Sequence, residues 1–412
     1  MAGRTFLVVV LVLTASFYSQ ANAHIQFAGK PIPRQSVVID SLSFTVHDPS
    51  TPSRTSSTTQ FFNPTNTTPP FFQIFHPAFL DVLGDNPSIR SVASRPTFPF
   101  ALGAGIWDER TDEVFFASGA GGVEPEPSGN QIAKISLREV ERGIAHTRTS
   151  TSFEEVENVN VTVTKLDIPD IVQITIGGTG PFRGALLLVT AGNTKFPPSL
   201  ALVDPQDPSN TTILLDNFFG RQFNSLDDAK IHPKSKTIFF TDTSYGFLNR
   251  FRPEPRIPNQ VYRFDPDTGE VRVVADGLIQ PNAIGFSQDG NTVYISDTAA
   301  LGGFSETNQS LPATIYAFDV DPRTQAFKNK RIFAYTDSGI PDGIELDSAG
   351  NVYGGCGDGV HVWNPQGILI GKFFLGANSA DMVFAGKGRL VILAGTNVYL
   401  AEIAAGGFNL AF

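Results

Sequence analysis

The chain of 412 residues has one cysteine, two methionines and only 17% charged residues, and none of its apolar runs is long enough to cross a bilayer. With Cys356 alone no intrachain disulfide can form, so stability must come from burial and from closure of the fold. Cys356 sits in Gly354-Gly355-Cys356-Gly357 behind a strand-like run, which suits a small buried residue better than a thiol nucleophile. Thirty basic residues stand against forty acidic ones, a net charge of −10. No basic stripe is available to release phosphate counterions, which argues against nucleic acid and anionic membrane as partners; the partner expected of this chain is a small-molecule substrate. Catalytic signatures are equally sparse. No Ser-x-Gly elbow or His pair accompanies His232 or His361, which read as structural. Gly177-Gly178 is not followed by a helix and cannot cradle a phosphate. Asp265-x-Asp267-x-Gly269 lacks the distal glutamate of a calcium loop and reads as a hairpin turn. Asp358 reads as a tight-turn residue, and Arg221 and Arg252 as solvated.

What the chain does have begins at its N-terminus. Arg4 precedes the apolar run Phe6 to Leu13, and the stretch closes on Ala21-Asn22-Ala23. This is the pattern of a secretory signal over residues 1–23, too short for a membrane span, and it predicts secretion or residence in the secretory lumen. Four sequons, at Asn66, Asn160, Asn210 and Asn308, agree with export and predict a glycoprotein. Residues 24–95 form an extension with a Pro/Ser/Thr-rich loop, and residues 96–412 hold a repeat.

The repeat has a fixed internal distance. Strand-like runs recur at Val114-Phe115-Phe116, Leu186 to Thr190, Ile238-Phe239-Phe240, Val293-Tyr294-Ile295, Val352-Tyr353 and Leu390-Val391-Ile392. Upstream of each lies a loop-to-strand junction, at Gly103, Ile176, Asp227, Asn282, Asp342 and Asp381, spaced by 73, 51, 55, 60 and 39 residues. Six such units, without a convincing helix-period segment between them, predict an all-β, six-bladed β-propeller. The junctions of all six units then face one another across a central mouth, which makes them the candidate site.

Further stretches carry a resemblance. They are Phe219-Gly220-Arg221-Gln222-Phe223-Asn224-Ser225-Leu226, Asn259 to Phe264, Pro281-Asn282 with Asp289-Gly290, Ile340-Pro341-Asp342-Gly343, Gly355 to Pro365, and Phe384 to Arg389. Over residues 95–400 the chain resembles the SMP-30/gluconolactonase superfamily, and within it the fungal lactonohydrolases. The resemblance implies a propeller holding a divalent cation, usually calcium, that polarises a lactone carbonyl while a carboxylate assists water. Asn282 and Asp342 match the family's asparagine and aspartate ligands. Asp227 stands where relatives carry asparagine, Gly103 where they carry a glutamate ahead of Trp107, Ile176 in place of a second asparagine, and Asn193 in place of a glutamate.

Three readings follow. With Gly103 and Ile176 offering no side-chain oxygen, the mouth reads as half apolar, which suits a cyclase of fungal secondary metabolism. Dehydration to a quinone methide would be followed by hetero-Diels–Alder addition to a terpene, needing proximity and no cofactor. Asp227, Asp342 and Asp381 are its candidate acids or bases, with Gly103, Trp107, Ile176, Asn193 and Asn282 lining the pocket. The second reading is a calcium-dependent lactone hydrolase with Asp227, Asn282 and Asp342 as metal ligands. The third is an inactive relative that binds a ligand in the same mouth.

Overall fold

A computed structural model of the protein describes residues 31–42, 44, 46, 62–118, 131–150, 156–303 and 307–408, without the side chains of 148–150. The signal sequence read at residues 1–23 lies outside the described residues. Six antiparallel sheets surround one axis as a six-bladed β-propeller. The innermost strands of blades one to six are Gly103–Asp108, Thr175–Phe182, Leu226–Ile231, Pro281–Phe286, Ile344–Leu346 and Asp381–Phe384. Each packs on the inner strand of the next blade, and that of blade six packs back on blade one. Each inner strand remains the edge of its own sheet, short and protected by its place around the axis.

The apolar runs are the second strands, sandwiched between neighbouring blades. Ile238–Asp242 and Val352–Cys356 are buried at every position, so both faces must be apolar or internally satisfied and the runs are continuous rather than alternating. Where such a strand ends on a carboxylate, the charge is used. Asp242 accepts the backbone N–H groups of Asn224 and Ser225 at 3.0 and 2.8 Å, and Asp297 those of Ile279 and Gln280 at 2.8 and 3.0 Å. Both carboxylates tie down the loop that leads into their own blade's inner strand. The outermost strands are more open, as in Phe327–Tyr335.

Three features depart from the sequence reading. The boundary read at residue 95 divides the propeller, because Ser88–Ser94 pairs antiparallel with Asn397–Gly406 and supplies the outer strand of blade six. Upstream, Phe71–Ile74 pairs with Leu369–Phe374, and Ser36–Val38 lies parallel to it, so the extension widens blade five to six strands. A helix also interrupts the repeat: Leu137–Ser150 follows the third strand of blade one. Its buried Leu137, Val140 and Ile144 show the three- and four-residue spacing of an amphipathic helix, hidden in the sequence by its charged neighbours.

Asn66, Asn160, Asn210 and Asn308 are all exposed. Cys356 is fully buried and unpaired. No helix among the described residues is long and apolar enough to cross a membrane.

Candidate functional site

Every inner strand runs from the candidate mouth towards the opposite face, and its first residues are aimed by backbone irregularity. The pairing register slips between Gly103 and Ile106, Thr175 and Gly177, Leu226 and Ala229, and Pro281 and Ile284. A bulge puts extra residues on one strand and turns their side chains out of the pleat. In blades three and four these residues are Asp227-Asp228 and Asn282-Ala283. Asp342 lies two residues before the inner strand of blade five, and Asp381 begins that of blade six.

The carboxylates at the mouth divide into two kinds. Asp381 accepts the backbone N–H groups of Met382 at 2.8 Å and of Gly105, across the blade six–one seam, at 2.9 Å. Asp228 accepts those of Ala229 at 2.8 Å and of Ile284, across the blade three–four seam, at 3.2 Å. With both oxygens so engaged, Asp381 and Asp228 latch neighbouring blades together. Asp381, a candidate acid or base from the sequence, is thereby given a structural task. Asp227 differs, since its carboxylate is buried at 4% exposure and accepts no hydrogen bond from the described residues. Beside it, Asp342 takes a hydrogen bond from the Asn282 amide.

The electrostatics follow from burial without enough positive charge. Desolvation pushes the Asp227 carboxyl well above its ordinary value, and the charges of Asp342 and Asp228 add to the shift. Burial raises Asp342 to about 7, helped by Asp381 and opposed by the Asn282 hydrogen bond. Asp381 is likewise pushed to about 7 by burial, and Asp228 to about 6, with Lys230 opposing both shifts. Lys230 lies two residues beyond Asp228 on the same strand face. Burial works against its charge, but Glu345, Asp228 and Asp381 outweigh that and hold the ammonium above its usual range. Lys230 therefore offsets the latch carboxylates, while Asp227 and Asp342 share a field with no cation of their own.

These two carboxylates fit a hard divalent cation, which would neutralise them both. Asp227, Asp342 and the Asn282 amide oxygen supply three oxygen ligands from three blades. Among the described residues no three Asp, Glu, His or Cys side chains converge as a metal site by themselves. Backbone carbonyls and water would have to complete the six to eight oxygens that calcium takes.

The remaining candidates fall elsewhere. Gly103 is a close-approach glycine: a Cβ there would lie 1.9 Å from the Ile176 carbonyl oxygen. Gly177 repeats the device one blade on, at 2.2 Å from the Asp227 carbonyl. Gly103 and Ile176 thus meet through backbone at the blade one–two seam, and the space of a glutamate side chain is filled rather than empty. Trp107, four residues along the strand and about 13 Å from its start, is carried to the opposite face. Its indole N–H donates to Asp112 at 3.0 Å. Asn193 spends its side chain on its own turn, accepting from Lys195 and Phe196 N–H at 2.8 Å each.

Arg252, expected to be solvated, is buried and donates to the carbonyls of Asn193, Asn224 and Phe223. Asp358 is in a turn but also fully buried, paired with His361 at 2.6 Å and Lys372 at 3.1 Å. His232 is structural, its ring nitrogen 3.0 Å from the Gly290 carbonyl. Sequence reasoning passed over Asp228, Lys230 and Glu345 as functional groups, although the two-residue spacing of Asp228 and Lys230 was the available signal.

A closed propeller with an acidic axial mouth at its bulged inner strands defines the class of protein. Residues 152–395 match the SMP-30/Gluconolactonase/LRE-like region, and the chain belongs to that family. It is similar to lactonohydrolase oryL of Aspergillus oryzae, 34% identical over 227 residues, which cover 50% of this chain and 51% of that protein. The gluconolactonase of Zymomonas mobilis is 26% identical over 204 residues, covering 47% of this chain and 54% of the relative. The chain thus spans about half the length of the curated relatives it matches. A solved gluconolactonase from Xanthomonas campestris shares the fold, with a TM-score of 0.59 at 21% identity, covering 80% of this chain and 93% of that one.

Proposed function

We propose that this protein is a lactone hydrolase working at the axial mouth through Asp227, Asn282 and Asp342. The observation that carries the reading is Asp227: a buried carboxylate with no hydrogen-bond donor, beside a second carboxylate and an amide on the axis. Calcium is the cation that such oxygen donors suit, and when bound it supplies Lewis-acid polarisation of the lactone carbonyl. Asp342 accepts the proton of the attacking water. The ring C–O bond then breaks, and the proton returns to the departing alkoxide to give a hydroxy acid. Asn282 orients Asp342 through its hydrogen bond. The likeness to the Aspergillus lactonohydrolase and to the two gluconolactonases supports the same reaction class.

Cyclisation by hetero-Diels–Alder addition is the less favoured reading. It rests on an apolar half-ring at Gly103 and Ile176, and the close approach of the Ile176 carbonyl accounts by packing for the absent side chain at Gly103. Purified protein should hydrolyse members of a panel of γ- and δ-lactones, followed by proton release at constant pH. Chelator should remove the activity, calcium should restore it, and Asp342→Asn should lower kcat by about 100-fold or more. Absence of hydrolysis across the panel with calcium present would end the proposal.

A further inference from the structure

The inner strands end on the opposite face at a second opening, and no residue of the acidic mouth lines it. There they enclose a cavity of about 620 Å³, within the range that takes a drug-sized molecule. Its walls are more apolar than polar, with Phe286, Leu346 and Phe384 at the ends of the inner strands of blades four, five and six, and Trp107 from blade one. The C-terminal segment adds a wall of its own. After the strand Asn397–Gly406, Gly407 bridges to Asp347 of blade five and carries Phe408 to the cavity edge.

The polar groups are few and convergent. Deep in the cavity Lys230 pairs with Glu345 at 2.6 Å, separating the cavity from the acidic ring. At the rim Arg110 is held by Asp108, through bonds of 3.0 and 2.8 Å. Lys387, also at the rim, is exposed, and its ammonium makes no ion pair or hydrogen bond among the described residues. Glu109, exposed at the same rim, is already engaged, so among the described residues the uncommitted charge of this opening is the Lys387 ammonium, although the whole chain is net negative at −10. Largely apolar walls below the one uncommitted cation among the described residues are complementary to an apolar molecule that carries one anionic group.

We propose that the face opposite the acidic mouth is a second ligand site, for an apolar monoanion such as an aryl or alkyl carboxylate. The apolar body lies against Phe286, Phe384 and Phe408, and the anion meets Lys387. Anilinonaphthalenesulfonate, an aromatic monoanion, and its uncharged analogue N-phenylnaphthylamine test both parts. Fluorescence titration with calorimetry for stoichiometry should find one probe of either kind per chain. Lys387→Glu should weaken the anion by about fivefold and leave the uncharged probe within about twofold, as expected of an exposed charge contact. Phe408→Ala should weaken both probes, and Asp227→Asn at the distant mouth should change neither. Binding indifferent to Lys387→Glu, binding altered by Asp227→Asn, or no binding at one probe per chain would overturn the assignment. Melting curves of each variant identify any loss that comes from misfolding, and Lys387→Gln then repeats the charge test with a smaller change.

Discussion

Replacing Gly103 with alanine separates a packing role from a lost ligand. The added methyl would sit 1.9 Å from the Ile176 carbonyl oxygen, where real Cβ contacts almost never fall below 3.0 Å. The obstructing atom is backbone, so no side chain can swing away, and the inner strands of blades one and two must part by roughly 1 Å. Overpacking of this kind costs about 1–3 kcal/mol, and a backbone obstruction belongs at the upper end. With unfolding entropy near 2.1 cal/mol/K per residue, a chain of this size loses about 1–1.5 °C per kcal/mol, so Tm should fall by about 3 °C. Gly103→Glu, which ligand counting alone would favour as restoring an oxygen, should lose at least as much. Calorimetry on chelator-treated protein is the assay. A Gly103→Ala variant melting within about 1 °C of the parent would refute the close-approach argument.

Two further outcomes follow from the buried charges. The carboxyls of Asp228, Asp242, Asp342 and Asp381 are raised by burial to between about 6 and about 7, so the folded state holds protons that the unfolded chain releases nearer pH 4. Stability of chelator-treated protein should therefore fall as pH rises from 5 to 7, by up to about 1.4 kcal/mol per pH unit for each proton involved. His361, raised to about 10, adds to the same trend above its unfolded value, whereas lowered His232 opposes it. Melting temperatures across pH 5–8 check the sign, and a rise in stability over that window would contradict it. Lys372→Met, at a buried lysine paired with Asp358 and with the half-exposed Asp337, should destabilise by about 3–5 kcal/mol in chemical denaturation, because it strands the fully buried Asp358 with only His361 as a cationic partner. A loss below about 1 kcal/mol would show that the cluster is hydrated.

The propeller was legible because each second strand is buried on both faces, which forces a continuous apolar run that recurs blade by blade. Asp227, Asn282 and Asp342 were legible for a related reason, since they occupy equivalent junctions that closure must bring together. Other parts depend on contacts that no local pattern encodes. The 88–94 strand looks like an extension until the C-terminal strand supplies its partner. Gly103 has the same sequence appearance whether it marks a lost ligand or a seam, and only the Ile176 carbonyl distinguishes the two. Trp107 follows Gly103 closely in sequence, yet the extended strand carries it to the other face. Arg252 and Asp358 have the polarity of surface residues and are buried because specific carbonyls and charges satisfy them.

Calorimetric titration of calcium into chelator-treated protein, beside Asp227→Asn and Asp342→Asn, tests the pairing of these two carboxylates most directly. One ion per chain should bind the parent protein, with affinity reduced by about tenfold or more in each variant, roughly 1.4 kcal/mol or greater. No binding by the parent, or binding unchanged in both variants, would contradict the cation site at the axial mouth.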